Sequence, residues 1–233
     1  TEADEHIIRD IWGCNCERMI ETAVTPIDGI NSKSYKVGEA LDIVWSGTHT
    51  YGKALPILID AVSEVLKKRP TANINVIVLG TGGETNKWKS LAKRKGVENS
   101  FKWIGFVPRA QAIKIMNGAH VTVFTSLKEG TPHVILESLA LGLPVICHDA
   151  CGMGTVITNS CGIKISMKNP NVSVRGFADA IMDVLTGKIV LGQLSTGASK
   201  RAYELTWTAK ARQIYSAYTE VVENVRNGVV KGV

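Results

Sequence analysis

The sequence predicts an α/β fold with a doubly wound, mainly parallel sheet of about six strands. Short apolar runs typical of buried strands alternate with longer amphipathic segments, and Gly, Pro or polar clusters separate them. Strands that alternate with helices pair in parallel through right-handed crossovers, so this order predicts a doubly wound sheet. The chain has 233 residues, of which 45% are hydrophobic, and this is enough for a full core.

The predicted elements follow this alternation from residue 41 onward. Strands are predicted at 41–47, 74–79, 101–104, 121–124, 145–148 and 162–166. Helices are predicted at 53–69, 84–95, 109–117, 132–141, 174–185, 193–204 and 207–226. For the helix that begins at Pro132 we expect Thr131 as its N-cap and Gly142 as its end, because Pro suits the first helical position and Gly the C-terminal cap.

The first 40 residues differ from the rest of the chain. Residues 1–25 place apolar side chains at roughly helical spacing, with Gly13 as a break. Residues 26–40 are polar and rich in Gly and Ser, which is typical of a connection. We therefore divide the chain into a helix and linker at 1–40 and a domain at 41–233, and expect the last helix to pack on residues 1–25.

The stretch from Ser126 to Asp149 carries the clearest functional signal. Its loop contains Glu129, and Glu137 lies five helical steps beyond Pro132, or about 7.5 Å along the axis. An anion at this helix start would meet free backbone N–H groups and the positive end of the helix dipole, with a carboxylate on either side to accept hydrogen bonds from hydroxyls. This spacing suits a nucleotide diphosphate sugar. The alternative is that Glu137 and Ser138 form the solvated edge of a core helix.

Two further loops follow predicted strands at the edge where open α/β sheets bind ligands. The first reads GTHTYGK, and the second contains Gly80, Gly82 and Gly83. Glycines after a strand allow the backbone to approach a ligand closely. The second loop lacks the later glycine and the acidic residue of the dinucleotide fingerprint, so we predict no nicotinamide cofactor.

The composition limits the partners and the compartment. The formal net charge is +6, and much of the excess lies in clusters at 67–69 and 87–95. Such clusters are typical of solvated helix faces, although they would also attract an anionic membrane. No aromatic and basic surface motif accompanies the charge, so we predict no nucleic-acid partner. No apolar run is long enough to span a membrane.

The five cysteines are an odd number with irregular spacing, which favours reduced thiols and a cytoplasmic protein. Cys147, His148 and Cys151 could suggest a metal site, but their spacing to Cys161 fits no standard zinc pattern. We expect small buried thiols and no metal.

The segment EGTPHVILESLALGLPVI resembles the donor-binding signature of retaining glycosyltransferases with the GT-B fold, in particular glycosyltransferase family 4. The pattern is two Glu separated by seven residues and then Gly-x-Pro-Val, which Glu129, Glu137, Gly142, Pro144 and Val145 match. The flanking segments WSG, VLGTGG, WIGFVPR and CGIKI are also similar to the family. The resemblance extends from about residue 41 to the C-terminus.

This resemblance implies a Rossmann-like domain that forms one half of a GT-B fold. Residues 1–40 would then be the remnant of an interdomain helix and linker, and the N-terminal acceptor domain would be missing. The expected activity is transfer of a sugar from a nucleotide diphosphate to a glycan or lipid-linked acceptor in polysaccharide biosynthesis, without a metal or other cofactor. The enzyme would be cytoplasmic, with peripheral membrane contact as a further hypothesis. The fragment alone would bind the donor and be inactive.

The resemblance also implies roles for individual residues. Lys53 and Glu129 are the expected catalytic residues: the first neutralises the diphosphate, and the second holds hydroxyls of the donor sugar. Glu137 holds the ribose, and the loop with Phe106 and Val107 reads the base through its backbone. The remaining residues of the expected donor site are Gly47, Thr48, Gly80, Gly82, Gly130, Thr131, Pro132, His133 and Val134. Thr131, His133 and Val134 would supply backbone N–H groups, because Pro132 has none.

Two positions depart from the family pattern. Thr48 stands where the family has an Arg that grips the diphosphate, and His133 stands where the family often has Asn. A Thr cannot supply the bidentate fork of an Arg. A second hypothesis is therefore a catalytically decayed GT-B domain that acts as a binding or interaction module. A third is another GT-B-like enzyme, such as a nucleotide-sugar epimerase.

Overall fold

A computed structural model describes residues 5–13, 16, 19–20, 22–27 and 32–227 of the chain. These residues form a six-stranded, entirely parallel sheet with the strand order β3-β2-β1-β4-β5-β6. The strands are β1 (Leu41–Ser46), β2 (Ile74–Leu79), β3 (Phe101–Gly105), β4 (Val121–Phe124), β5 (Val145–His148) and β6 (Gly162–Ile165). The predicted Rossmann-like, doubly wound sheet is confirmed.

Helices follow the strands and lie on both faces of the sheet. They are α1 (Leu55–Lys68), α2 (Thr85–Arg94), α3 (Arg109–Asn117), α4 (His133–Ala140), α5 (Cys151–Val156), α6 (Pro170–Leu185), α7 (Leu191–Glu204) and α8 (Trp207–Arg226). Short 3-10 turns occur at Tyr51–Lys53 and Glu98–Ser100, and a turn of π-helix occurs at Ile7–Ile11. None of these described helices is both long enough and apolar enough to cross a bilayer.

Alternation along the strands divides the core between the two faces. Leu41, Ile43 and Trp45 of β1 point to the face that α1, α2 and α6 cover. Val44 points to the opposite face, where it packs with side chains that lie around α3 and the end of α4. Helices α4, α5 and α7 bury a further cluster against β4 and β5. Both faces are thus covered by helices, as a parallel sheet requires.

Two predicted boundaries and one predicted region were wrong, and one helix was missed. Helix α4 has Pro132, in extended geometry, as its N-cap, one residue later than predicted. Helix α6 begins at Pro170, because the Asn169 side chain accepts a hydrogen bond from Val172 N and caps it. Helix α5 was missed, since two glycines in a six-residue segment give no helical pattern.

The N-terminal helix was predicted too long. Residues 19–20 and 22–27 are not helical, and Val24 instead forms a parallel bridge with Thr206 at the start of α8. Val24 N donates to Leu205 O at 3.0 Å, and Lys210 Nζ donates to Thr22 O at 2.8 Å. Tertiary pairing with the chain before α8 therefore overrides the helical spacing of this segment. The predicted contact between α8 and residues 1–25 occurs, within the described residues, at the first turn of the helix.

Candidate functional site

The candidate site lies where the winding of the sheet reverses. Strands β1 and β4 are neighbours, but the chain leaves β1 toward one face of the sheet and β4 toward the other. The loops that follow them, residues 47–54 and 125–132, separate at the carboxyl edge and leave a crevice. In open α/β sheets this switch point is where ligands bind.

The two loops bring Lys53 and Glu129 together. Lys53 Nζ donates to Glu129 Oε1, and both side chains are partly buried, with 25% and 19% of their surface exposed. The ammonium also lies 5.7 Å from the centroid of the Phe124 ring, at the end of β4. The two residues that the sequence analysis named as catalytic are thus in direct contact at the switch point.

A relay of hydrogen bonds holds the Lys53 backbone in place. Trp45 Nε1 donates to Thr125 Oγ1 at 3.0 Å, and Thr125 Oγ1 donates to the carbonyl of Lys53 at 2.8 Å. Leu127 N donates to Gly52 O at 2.9 Å and joins the two loops a second time. Because Trp45 and Thr125 are buried, the loop around Lys53 is anchored to the core. These hydrogen bonds of Thr125 were not predicted from the sequence.

The glycine loop after β2 packs directly on the loop after β1. Gly80 has φ +104°, and a Cβ there would overlap Gly47 O. A Cβ at Gly82 would lie 2.5 Å from His49 O. Gly47, Gly80 and Gly82 therefore lie close together, as the sequence predicts. In this structure, however, the glycines allow two protein loops to pack closely against each other.

His49 belongs to the loop after β1 and contacts the glycine loop after β2. The sequence did not indicate this role. It is buried, and its ring lies among those of Trp45, Trp88 and Trp103. Its Nδ1 lies 2.7 Å from Thr85 Oγ1, whereas its buried Nε2 has no partner among the described residues. Burial lowers the pKa of the imidazole, the nearby Lys89 lowers it further, and the Leu79 backbone acts in the opposite direction. His49 is therefore neutral at pH 7.

The start of α4 presents backbone donors beside Glu129. His133 and Val134 are the first two residues of the helix, and their N–H groups precede the first intrahelical hydrogen bond, from Ile135 N to Pro132 O. The start of α5 supports the loop before α4: Gly152 N donates to Glu129 O at 3.2 Å, and a Cβ at Gly152 would overlap Gly130 O. The loop conformation at Gly130 thus depends on a second glycine that the sequence analysis did not single out.

Glu137 lies one turn further along α4 and is paired with Arg109. Arg109 Nε donates to Glu137 Oε1 at 2.6 Å, with 78% of the Arg109 side chain exposed and 19% of the Glu137 side chain exposed. Both residues line a cavity of about 520 Å³ that also has His133 in its wall and the described segment 23–25 on its other side. Arg109 begins α3, so the pair joins two helices on the same face of the sheet. In the sequence, Arg109 is recognised only as part of the segment WIGFVPR, and its contact with Glu137 was not predicted.

The neighbouring Ser138 does not lie at a solvated edge. It is fully buried, and its hydroxyl lies 2.8 Å from Thr122 Oγ1 and 2.7 Å from the carbonyl of Val134. Glu137, one residue earlier, is mostly covered as well. The interpretation of this polar pair as an exposed helix edge is therefore wrong for Ser138 and does not describe Glu137.

Three residues of the predicted donor site are not joined to the rest by a contact that the structure describes. Thr48 is exposed in the loop after β1, and its carbonyl accepts a hydrogen bond from Thr50 N at 2.8 Å. Phe106 is exposed after β3, whereas Val107 packs with the apolar cluster under α3.

Cys147 in β5 and Cys161 just before β6 are buried thiols in the apolar core. Burial raises the pKa of Cys147 to about 12, so this thiol keeps its proton. His148 is also buried: its Nδ1 lies 3.1 Å from Ser126 O and its Nε2 lies 3.0 Å from Ser173 Oγ. Both ring nitrogens are thus occupied. Across the described residues, no three His, Cys, Asp or Glu side chains gather in a way that could hold a metal ion.

The fold, and the contact of Lys53 with Glu129 at its switch point, define an open α/β domain with a candidate ligand site at the carboxyl edge of the sheet. Residues 29–204 match the family model described as glycosyl transferases group 1. The chain belongs to this family, which confirms the resemblance found in the sequence.

Curated relatives agree with this family. The chain is 24% identical over 177 residues to a D-inositol 3-phosphate glycosyltransferase of Corynebacterium glutamicum (strain R), with 74% of this chain and 41% of that protein covered. It is 26% identical over 183 residues to an uncharacterized glycosyltransferase of Methanocaldococcus jannaschii, with 78% and 45% covered. The chain thus spans less than half the length of these relatives.

Solved structures agree with the fold. A pneumococcal O-GlcNAc transferase in complex with UDP and GlcNAc superposes with a TM-score of 0.67 at 18% identity, over 97% of this chain and 44% of that one. The apo form of a lipopolysaccharide outer core galactosyltransferase superposes with a TM-score of 0.70 at 16% identity, over 85% and 54%. These likenesses confirm the Rossmann-like domain of a GT-B fold.

Proposed function

We propose that this chain is the nucleotide-sugar-binding domain of a retaining glycosyltransferase, and that Lys53 and Glu129 form the centre of its donor site. The observation that carries the proposal is the contact between these two side chains at the switch point of the sheet. A cation and an anion held side by side, with free N–H groups at the start of α4, can bind both the charge and the hydroxyls of a nucleotide diphosphate sugar.

Lys53 is the proposed partner of the diphosphate. Negative charge builds on the leaving diphosphate as the bond to the sugar breaks, so a cation fixed beside it stabilises the transition state more than the ground state. The backbone N–H groups of His133 and Val134 add further donors at the positive end of the α4 dipole. When the diphosphate binds, it competes with Glu129 for the ammonium of Lys53.

Glu129 and Glu137 are the proposed acceptors for hydroxyl groups. Once Lys53 moves to the diphosphate, Glu129 is free to accept hydrogen bonds from the donor sugar. Glu137 would hold the ribose within the cavity of about 520 Å³. For this, the ion pair between Arg109 and the Glu137 carboxylate has to open. Because most of the Arg109 side chain is exposed, this ion pair is worth only about 0–1 kcal/mol and costs little to open.

The acceptor belongs to the part of the relatives that this chain does not span. We propose that a glycan or lipid-linked acceptor binds to an N-terminal domain, that transfer needs no metal, and that this chain alone transfers no sugar. A cytoplasmic location and peripheral contact with an anionic membrane are part of the same proposal, since basic clusters lie along the chain.

A decayed binding module is the second candidate. The observation that favours it is Thr48, which is exposed and offers no guanidinium to the diphosphate. Replacement of Thr48 by Arg separates the two candidates. A decayed site should gain at least tenfold in diphosphate affinity, the order expected for a charge-assisted hydrogen bond. An unchanged affinity would mean that the site works with Lys53 and backbone donors alone.

Calorimetric titration of the chain with UDP, GDP and ADP tests the proposal and identifies the base. We expect one of the three to bind at micromolar concentration and Glu137→Ala to weaken that binding by about tenfold. Glu98→Ala is the matched control. Glu98 lies in the turn before β3, at the amino end of the strand, and its variant should bind as the wild type does. Absence of binding by all three nucleotides would contradict the proposal.

A further inference from the structure

A second cavity, of about 640 Å³, opens on the other face of the sheet from the Glu137 cavity. Its walls come from α1, α2 and the start of α6, whereas the Glu137 cavity lies against α3 and α4. The volume falls within the range of about 300–1,000 Å³ that small-molecule sites occupy. No residue of the proposed donor site lines it, although Tyr51, Ala54 and Leu127 come from the two loops that carry Lys53 and Glu129.

The lining is mainly apolar. Ile57 of α1, Trp88 and Leu91 of α2, and Pro170 of α6 form the walls. Three large apolar side chains stand exposed at the mouth, and each comes from a different loop at the carboxyl edge: Tyr51, Leu127 and Met167. Tyr51 has 83% of its surface exposed. Large apolar groups gathered around a concave surface indicate a binding site.

Three polar side chains in the wall already have hydrogen-bond partners. Ser173 Oγ lies 3.0 Å from His148 Nε2, and Asn169 Oδ1 accepts from Val172 N at 3.0 Å. Glu84 Oε1 accepts from Lys87 Nζ at 2.9 Å. An apolar chain could therefore fill the cavity without leaving a buried polar group unpaired.

Positive charge remains at the rim. Arg94, at the end of α2, and Lys168, just before α6, both line the cavity, and neither has an ion-pair partner among the residues that the structure describes. Since Lys87 and Glu84 neutralise each other, the rim carries an uncompensated charge of two cations. An apolar interior beneath two free cations complements a molecule with a hydrocarbon body and an anionic head.

We propose that this cavity binds a single-chain amphiphile with a phosphate head, such as an alkyl or prenyl phosphate, as a monomer. The hydrocarbon chain lies between Ile57, Trp88 and Leu91, and the phosphate pairs with one of the two cations of the wall, Arg94 or Lys168. The inference does not rest on the proposed donor site, because no residue of that site is needed for it.

Quenching of tryptophan fluorescence tests the proposal at the cavity itself. The probe is 12-bromododecyl phosphate, used below its micelle concentration, because bromine quenches only an indole that it touches. We expect saturable quenching by the wild-type chain and loss of most of it in Trp88→Phe. Inorganic phosphate should not compete, whereas dodecyl phosphate should.

Charge variants test the head group. Arg94→Ala combined with Lys168→Ala should weaken binding about three- to tenfold, as expected for two exposed charges. Lys93→Ala is the matched control, since Lys93 is an exposed cation next to Arg94 that does not line the cavity. Dodecyl maltoside, which has the same chain and a neutral head, should bind more weakly than the phosphate and respond to neither variant.

Three results would overturn the proposal: no quenching by the bromo probe, equal quenching in Trp88→Phe, or equal affinity for the phosphate and the maltoside. Binding to vesicles of phosphatidylglycerol without binding of the monomer would also overturn it, because the contact would then be with a membrane surface rather than within the cavity.

Discussion

The imidazole Nδ1 of His49 lies 2.7 Å from the hydroxyl of Thr85, and this contact ties the loop that carries Lys53 to the glycine loop after β2. The backbone repeats the link, because His49 N donates to Thr81 O and His49 O accepts from Glu84 N. Neither loop is therefore positioned alone, and His49 is the residue that holds them together.

The buried state of His49 predicts a loss of stability in acid. Its pKa is lowered from 6.5 in the folded chain, mainly by burial, so the unfolded chain binds more protons just below pH 6.5. The stabilising contribution is present above pH 6.5 and is lost as the pH falls through the lowered value. We expect the free energy of unfolding, measured with urea, to decrease as the pH falls from 7 to 5.

Histidine variants separate the sources of that pH dependence. His49→Phe should flatten part of the slope, and the remainder should come from His148, whose pKa is also lowered by burial. A His49→Phe slope equal to that of the wild type would show that His49 does not titrate within this range.

Gly82 and Gly83, which are adjacent in the loop after β2, provide a matched pair of substitutions that test the packing of this loop on the loop after β1. A Cβ at Gly82 would lie 2.5 Å from His49 O, whereas a Cβ at Gly83 would meet nothing within 4 Å. Gly82→Ala should therefore destabilise the fold by about 1–3 kcal/mol through overpacking. Gly83→Ala should change the stability by no more than about 0.5 kcal/mol. Urea denaturation measures both, and equal effects would contradict the described packing.

The pair of Arg109 and Glu137 predicts that Arg109 competes with the nucleotide. Arg109→Gln removes the cation from the carboxylate and should strengthen binding of a nucleoside diphosphate by up to about fivefold, since an exposed ion pair contributes about 0–1 kcal/mol. Calorimetry of this variant measures the change. Weaker binding would mean that Arg109 itself holds the nucleotide, which is the opposite role.

The buried hydroxyls of Thr122 and Ser138 predict a non-additive pair. They lie 2.8 Å apart between β4 and α4, so Ser138→Ala leaves Thr122 Oγ1 without this partner in the core and should cost about 1–3 kcal/mol. Thr122→Val should cost less, because the Ser138 hydroxyl keeps its hydrogen bond to the Val134 carbonyl. The double variant should cost clearly less than the sum, because no orphan hydroxyl remains. Additive losses in urea denaturation would show that the two groups do not interact.

The strands could be predicted from the sequence because they depend on local patterns. The resemblance to the family singled out Lys53 and Glu129, and their catalytic roles stay a prediction. Buried parallel strands such as β2 and β4 are continuous apolar runs, and Glu129 and Lys53 each follow such a strand. The pairing of β1 with β4 then places the two side chains at one edge.

Contacts between distant elements could not be predicted in this way. The bond between Thr125 and the Lys53 carbonyl, the pairing of Arg109 with Glu137 and the aromatic surroundings of His49 each join residues from separate elements, with no signal in spacing or composition. The missed helix α5 and the bridge of Val24 have the same cause, because tertiary packing rather than local propensity decides their conformation.

The affinity of Lys53→Met for a nucleoside diphosphate tests the central claim most directly. Methionine keeps most of the length of the side chain and removes the charge, so binding should weaken about 10- to 100-fold, the value of one hydrogen bond to a charged group. Lys87→Met, which removes a cation paired with Glu84, should bind as the wild type does. Nucleoside alone should bind both variants equally. If Lys53→Met binds the diphosphate as tightly as the wild type, Lys53 does not hold the leaving group, and the proposed donor site is wrong.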